Sequence, residues 1–171
     1  MEFPLINLLK FYGTTKLSSE MFIQEYAAFY GLKAAITRFG VIAGPRQMGK
    51  TDQGVVTLWI AKHFWKQSLK YIGYGGKGKQ VRDILHVDDL ADACYYLLQN
   101  YDGEQLVNVG SGVDVTILEL ANMVKDIVGF KGEIKMDATK PDGTPRKLMD
   151  VSKLEKVGWK YKISLQEGIT S

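Results

Sequence analysis

Segments of helical period and segments of strand character alternate from Thr14 to the last residues of this chain, and that alternation restricts the fold more than any other feature. Thr14 to Tyr30 keeps helical spacing through Leu17, Met21 and Ala28, and Gly31 supplies the stop. Ala34 to Ile42 reads as a buried strand. Val55 to Lys66 reads as an amphipathic helix and Lys70 to Tyr74 as a short strand. Val81 to Val87 alternates apolar and polar residues, which predicts a strand running into a helix over Asp88 to Gln99. Asp88 and Asp89 suit the N-terminus of that helix and are assigned to its capping. Leu106 to Val109 is a further strand. Thr116 to Val128 is a helix with Thr116 as N-cap and Glu119 three residues on, a capping-box arrangement. Glu133 to Met136 reads as a strand, Val151 to Val157 as a short helix, and another helix starts at Ser164. Such alternation defines an α/β protein.

The 171 residues are long enough to bury one sizeable core, and a formal charge of +3 does not argue for nucleic acid. No apolar run approaches the roughly 20 residues of a membrane helix, and no charged-then-apolar leader opens the chain. A cytoplasmic protein with neither a nucleic-acid nor a membrane partner is expected. Cys94 has no second cysteine to pair with, and with His63 and His86 it makes a poor metal set, so no metal site is expected.

Three motifs carry chemistry. GPRQMGKT, residues 44 to 51, fits the phosphate-loop pattern at every position and lies between an apolar run and a helical one. A P-loop nucleotidase would find its magnesium-holding acid in DILHVDD. Against it, Gly54 sits in the first turn of the following helix, and a helix with a different motif precedes the loop's strand. GYGGKG, residues 73 to 78, satisfies the dinucleotide pattern but is followed by strand period instead of a helix, so it reads as a hairpin turn. FYGTTKLSSE places Tyr12 and Lys16 four residues apart on one helix face. An ammonium near a phenol favours phenolate and makes a general acid/base usable near neutral pH. By composition alone this pair is expected about once by chance.

Longer stretches change its weight. YGTTKLSSEMFIQEYAAFYGLKAAITRFGVIAGP resembles the middle of extended short-chain dehydrogenase/reductases that act on sugar nucleotides, the NAD-dependent epimerase/dehydratase family. GVIAGPRQMGKTDQGVVTLW with YIGYGGKGKQVRDILHVDDLADA looks most like the CDP-paratose (CDP-tyvelose) 2-epimerase branch. VNVGSGVDVTILELANMVKDIVGFKGEIKMDATKPDGTPRKLMDVSKLEKVGW looks most like GDP-L-fucose synthase. Together these blocks cover almost all of the chain after residue 11.

The resemblance implies the C-terminal part of a Rossmann-type parallel sheet plus a smaller α/β substrate-binding domain. Residues 1–45 would end the dinucleotide-binding domain. Residues 46–171 would form mostly the sugar-nucleotide domain, with a strand and helix near 81–100 returning to the first. Tyr12 matches the catalytic tyrosine and Lys16 its partner on the nicotinamide ribose. Phe39 and Val41 lie where the strand passes the nicotinamide. Arg82 matches the arginine that grips the nucleotide diphosphate and Lys140 a second basic contact, with Gln53 and Arg146 as further substrate contacts. The cofactor is NAD, with NADP the alternative, and the partner is a nucleotide-diphosphate sugar.

The chain also departs from the pattern. Nothing before Tyr12 supplies the glycine-rich dinucleotide loop or the serine or threonine that completes the catalytic triad. Gly54 stands where GDP-L-fucose synthase has a histidine, and Val41 where many relatives have asparagine. The expectation is therefore a partial epimerase, incomplete as an independent enzyme, with 2-epimerisation of a CDP-sugar preferred and the GDP-L-fucose synthase reaction as alternative. A sugar-nucleotide-binding lobe without catalysis is the non-enzymatic reading. A missing half-sheet predicts an exposed apolar face, and with it self-association or pairing with a chain that supplies the N-terminal half.

Overall fold

The computed structural model describes residues 11–47, 59, 78–103, 106–135 and 144–171. The first element is helix α1, Phe11–Tyr30. Strands β1 (Thr37–Phe39) and β2 (Val41–Ala43) follow. Next come β3 (Val81–His86) and α2 (Val87–Asn100), then β4 (Val107–Val109), β5 (Asp114–Thr116) and α3 (Ile117–Ile127). The order closes with β6 (Arg146–Lys147), α4 (Ser152–Val157) and α5 (Leu165–Thr170). The helix expected at 55–66 and the strand at 70–74 lie outside the described residues, apart from Trp59, which is helical.

Strand β3 organises the sheet. Its second half pairs with β2 in parallel, Ile84 opposite Val41 and His86 opposite Ala43. Its first half pairs with β5 antiparallel and with β6 in parallel, so Arg82 lies in register with both Val115 and Lys147. A separate parallel pair joins β1 to β4. Side chains on a strand alternate between faces, and β3 uses both. Ile84 enters a core with Trp59, Ile117, Leu120, Ala121, Val124 and Ile169. Leu85 enters another with Ala93, Leu97, Val107, Val109, Leu154 and Trp159. The fully buried leucines at 85, 97, 120 and 154 each contribute about 1.5–3 kcal/mol of hydrophobic stabilisation.

Several sequence expectations need correction. The single strand over 34–42 is two, split at Gly40. There the chain passes so close to β3 that a Cβ would stand 3.1 Å from the Asp83 carbonyl oxygen. This is also where the pairing partner changes from β4 to β3. Nor is the strand buried as expected, since within it only Ile36 is shielded from solvent and Phe39 is 52% exposed. Residues 133–135 form no strand, whereas the unforeseen β5 and β6 do. Helix α1 has no buried residue. Leu17, Met21 and Ala28, the residues that keep its helical spacing, have no closed core against them among the described residues, and Phe22 and Phe29 stand exposed. Phe11, Phe22, Tyr26, Phe29 and Tyr30 of α1 are all exposed among the described residues. What ties the helix down is polar: Arg38 of β1 donates two hydrogen bonds to the Glu20 carboxylate, the Nε one at 2.7 Å. That carboxylate holds the Arg38 pKa above its ordinary value.

The acids expected to cap α2 divide in two. The N-cap is His86, whose Nδ1 accepts the Asp88 N–H at 3.2 Å. Asp89 points away from the helix end and is 2% exposed. Its carboxylate accepts the backbone N–H groups of Lys162 and Ile163, at 3.1 Å and 2.9 Å. An acid in the first turn satisfies the dipole preference whichever way it turns, but only this one meets donors from a distant segment. The capping box at Thr116 and Glu119 is present as expected, and Ser164 with Glu167 forms a second.

Candidate functional site

Helix α1 presents the first part of the site. Hydroxyls along its first turns bond back to the helix, Thr15 to the Tyr12 carbonyl, Ser18 to Thr14 and Ser19 to Thr15, so these polar residues sit in a helix without leaving donors unsatisfied. Gly31 ends the helix at φ 65°, a left-handed stop. Tyr12 and Lys16 then share one face. The Lys16 ammonium lies over the Tyr12 ring, 5.5 Å from its centroid, within the range of cation–π attraction. Tyr12 is 72% exposed. Phe39 closes β1 and Val41 opens β2, on either side of Gly40.

Arg82 forms the second part, on the β3–β5–β6 edge. Its Nη1 donates to the carbonyl oxygens of Val81 and Thr144, at 2.7 Å and 2.8 Å, which fixes the guanidinium beside β6. Register places Arg82 with Val115 and Lys147 on one face of this edge, and Arg146 with Val81 and Thr116 on the other. Arg146 pairs with Asp114, Nε to Oδ2 at 2.7 Å. The structure therefore brings Arg82 beside Lys147, and sets Arg146 across the sheet from it. Gln53, Lys140 and the phosphate-loop residues 48–51 lie outside the described residues.

Asp83 was not singled out in the sequence, yet it is the hub of this edge. It is 1% exposed. Its Oδ1 accepts the Ser111 N–H at 3.0 Å and the Ser111 hydroxyl at 2.7 Å. Its Oδ2 accepts the Gly112 N–H at 3.1 Å and, at 3.4 Å, the Met149 N–H. One side chain thereby ties β3 to the turn after β4 and to the segment after β6. The signal was present in RDILHV, where a carboxylate falls on the same alternation as Leu85 and so points at a core.

Two parallel strand pairs, β1 with β4 and β2 with β3, flanked by helices make this an α/β protein, and an exposed tyrosine and a lysine lie one turn apart on the helix before them. The profile of the "NAD dependent epimerase/dehydratase family" matches residues 2–110, and the chain belongs to that family. Among its relatives, the GDP-L-fucose synthase of Escherichia coli (strain K12) is 45% identical, over 94% of this chain and 54% of its own length. GDP-L-fucose synthase 1 of Arabidopsis thaliana is 40% identical, over 94% of this chain and 51% of its own length. The UDP-glucose 4-epimerase of Thermotoga maritima, solved with UDP-glucose, superposes with a TM-score of 0.83 at 31% identity, covering 93% of this chain and 50% of that one. The chain thus spans about half the length of these relatives. No helix among the described residues is long and apolar enough to cross a membrane.

Proposed function

We propose that this chain carries the proton-transfer helix and the substrate-facing sheet edge of an NAD-dependent sugar-nucleotide epimerase/reductase of the cytoplasm, acting on a GDP-sugar. The observation that carries the reading is the exposed Tyr12–Lys16 pair, with the ammonium 5.5 Å from the ring centroid, in a chain of an NAD-dependent family. These two residues, with Phe39 and Val41, fit the nicotinamide end of NAD or, as the alternative, NADP. Hydride acceptance and return is the chemistry the cofactor supplies when bound. The chain's own part is different. The Tyr12 phenol takes or gives the proton of a sugar hydroxyl, and Lys16 donates to ribose hydroxyls. Arg82, with Lys140 and Gln53, holds the diphosphate, whose paired anionic oxygens suit a planar guanidinium; Arg146, on the opposite face and paired with Asp114, would add to it only around the sheet edge. The rest of the cofactor site comes from the family's other half, and the exposed aromatic face of α1 is where that half or a second copy would pack.

The GDP-sugar is preferred because two of the relatives above are GDP-L-fucose synthases. Gly54, standing where those enzymes are expected to hold a histidine, favours a second reading, 2-epimerisation of a CDP-sugar. Calorimetric titration of the chain with GDP-mannose, CDP-glucose, NAD and ATP–magnesium separates them. Saturable binding of GDP-mannose, about tenfold weaker in Arg82→Gln for a lost charge-assisted contact and unchanged in Tyr12→Phe, is expected. Tighter binding of CDP-glucose would move the reading to the CDP-sugar. Binding of ATP–magnesium alone would replace both with a phosphate-loop protein.

A further inference from the structure

Tyr12, Lys16 and Glu20 stand at successive four-residue steps of α1 and form one stripe along it. Lys16, Glu20 and Glu25 are the only charged residues of this helix. Lys16 therefore has two neighbours on the stripe, a phenol one turn toward the N-terminus and a carboxylate one turn toward the C-terminus. A lysine and a glutamate at this spacing attract each other, and an ammonium held by a carboxylate is neutralised. The two neighbours compete for one cation.

The phenol holds it. The Lys16 ammonium lies 5.5 Å from the Tyr12 ring centroid and forms no ion pair with Glu20 or any other described residue. Glu20 is occupied from another element. Arg38 of β1 donates Nε–H to its Oε1 at 2.7 Å and an Nη2 N–H to its Oε2, so one guanidinium takes both carboxylate oxygens. Such paired bonds from a planar fork are stronger than a single ammonium can offer. The Glu20 side chain is 18% exposed. A carboxylate enclosed to this degree needs a compensating cation. With Arg38 gone, Lys16 is the cation within one helical turn of it. Helical side chains lean toward the N-terminus, which carries Lys16 to Tyr12 once Glu20 makes no claim on it.

We infer that Arg38 is a positioning residue for the proton-transfer pair: by occupying Glu20 it leaves the Lys16 ammonium to the Tyr12 phenol and to ribose hydroxyls. This role rests on the reading of Tyr12 and Lys16 as that pair, and it acts through Glu20. A neutral side chain at position 38 frees the carboxylate, whereas a neutral side chain at position 20 removes it. The two substitutions open the same clasp between α1 and β1 but leave opposite charges behind. They thereby separate control of Lys16 from plain anchoring of the helix.

The test is NMR of the whole chain, following the Lys16 Hε protons, which the ring current of an aromatic face beneath the ammonium moves upfield. Tyr12→Leu should abolish that upfield shift and so identifies its source. In Arg38→Gln the shift should fall by about half, because an ion pair at this spacing and an exposed cation–π contact are of similar strength. In Glu20→Gln it should keep the parent value. In Arg38→Gln/Glu20→Gln it should return to the parent value, although the clasp is then absent. Equal losses in the two single variants would overturn the inference and leave the pair as an anchor of α1. An unchanged shift in Arg38→Gln, or a double variant that does not recover, would overturn it as well. No nucleotide enters this measurement, so its outcome is separate from that of the GDP-mannose titration: either reading can fail while the other stands.

Discussion

Replacing Asp83 tests how the substrate-facing edge is held. Asp83→Ala removes the acceptor of three backbone N–H groups and one hydroxyl. The hydroxyl has an alternative, since Ser111 Oγ already lies 3.1 Å from the Val113 carbonyl oxygen. The Met149 bond is long, at 3.4 Å, and weak. That leaves the Ser111 and Gly112 N–H groups, both well formed and partly buried. Stranding a buried donor costs about 1–3 kcal/mol, so the loss should be about 3–5 kcal/mol once the weaker contacts are included. Against a typical total of about 5–15 kcal/mol, this is a large fraction. Asp83→Asn keeps the shape and one oxygen but turns an amide toward one N–H, so it should lie between parent and alanine. The assay is urea unfolding of all three proteins, with amide exchange at Ser111 and Gly112. Exchange there should speed up more than in α3, because the lost bonds are local. An alanine variant within about 1 kcal/mol of the parent, small beside the cost of stranded buried donors, would refute the hub.

Three further outcomes are expected. Gly110→Ala puts a Cβ 2.6 Å from Asp83 Oδ2 and 3.0 Å from Met149 Cβ, so it should disturb the same hub, and thermal melting of Gly110→Ala in the Asp83→Ala background should show a smaller added loss than in the parent. Asp89→Ala strands the Lys162 and Ile163 N–H groups and should cost about 2–4 kcal/mol by urea unfolding, with limited proteolysis cutting first near 160–164; an unchanged cleavage pattern would count against the anchor. The capping boxes give a pH dependence. Glu119 is held below the ordinary glutamate range by the Thr116 hydroxyl and then its backbone N–H, and Glu167 likewise by Ser164. Because the folded pKa values are the lower ones, this stability is complete above the unfolded value, about 4.3, and is lost as pH falls through the depressed values. Thermal midpoints should hold from pH 7 to about 5 and drop below about 4, with a shallower drop in Glu119→Gln/Glu167→Gln; equal slopes would remove the capping carboxylates as the cause.

What could be read from the residues and what could not divides along one physical line. Features specified within a few residues were legible. The end of α1 follows from a glycine free to turn left-handed, the Thr116 capping box from spacing, and the start of α5 from Ser164. The Tyr12–Lys16 face follows from helical period alone. Features specified by a distant partner were not. Strand β6 has two residues and exists because Val81 and Arg82 offer it an edge; two residues have no period to detect. Gly40 reads as an interruption inside an apolar run, and only the nearby Asp83 carbonyl shows that two strands with different partners meet there. Asp83, Asp89 and His86 look alike in RDILHVDD, as polar residues around the end of a strand. They differ in what reaches them from elsewhere: the turn at 110–112, the segment at 162–163, and a cavity wall. The same reasoning separates Arg82 from Arg146. Both are basic residues suited to a diphosphate, and only the register of β3 against β5 and β6 puts them on opposite faces. If both contact one substrate, the diphosphate must therefore reach around the sheet edge. An Arg146→Gln variant that binds GDP-mannose as the parent does would leave Arg82 and its face, with Lys147 beside it, as the phosphate-binding side.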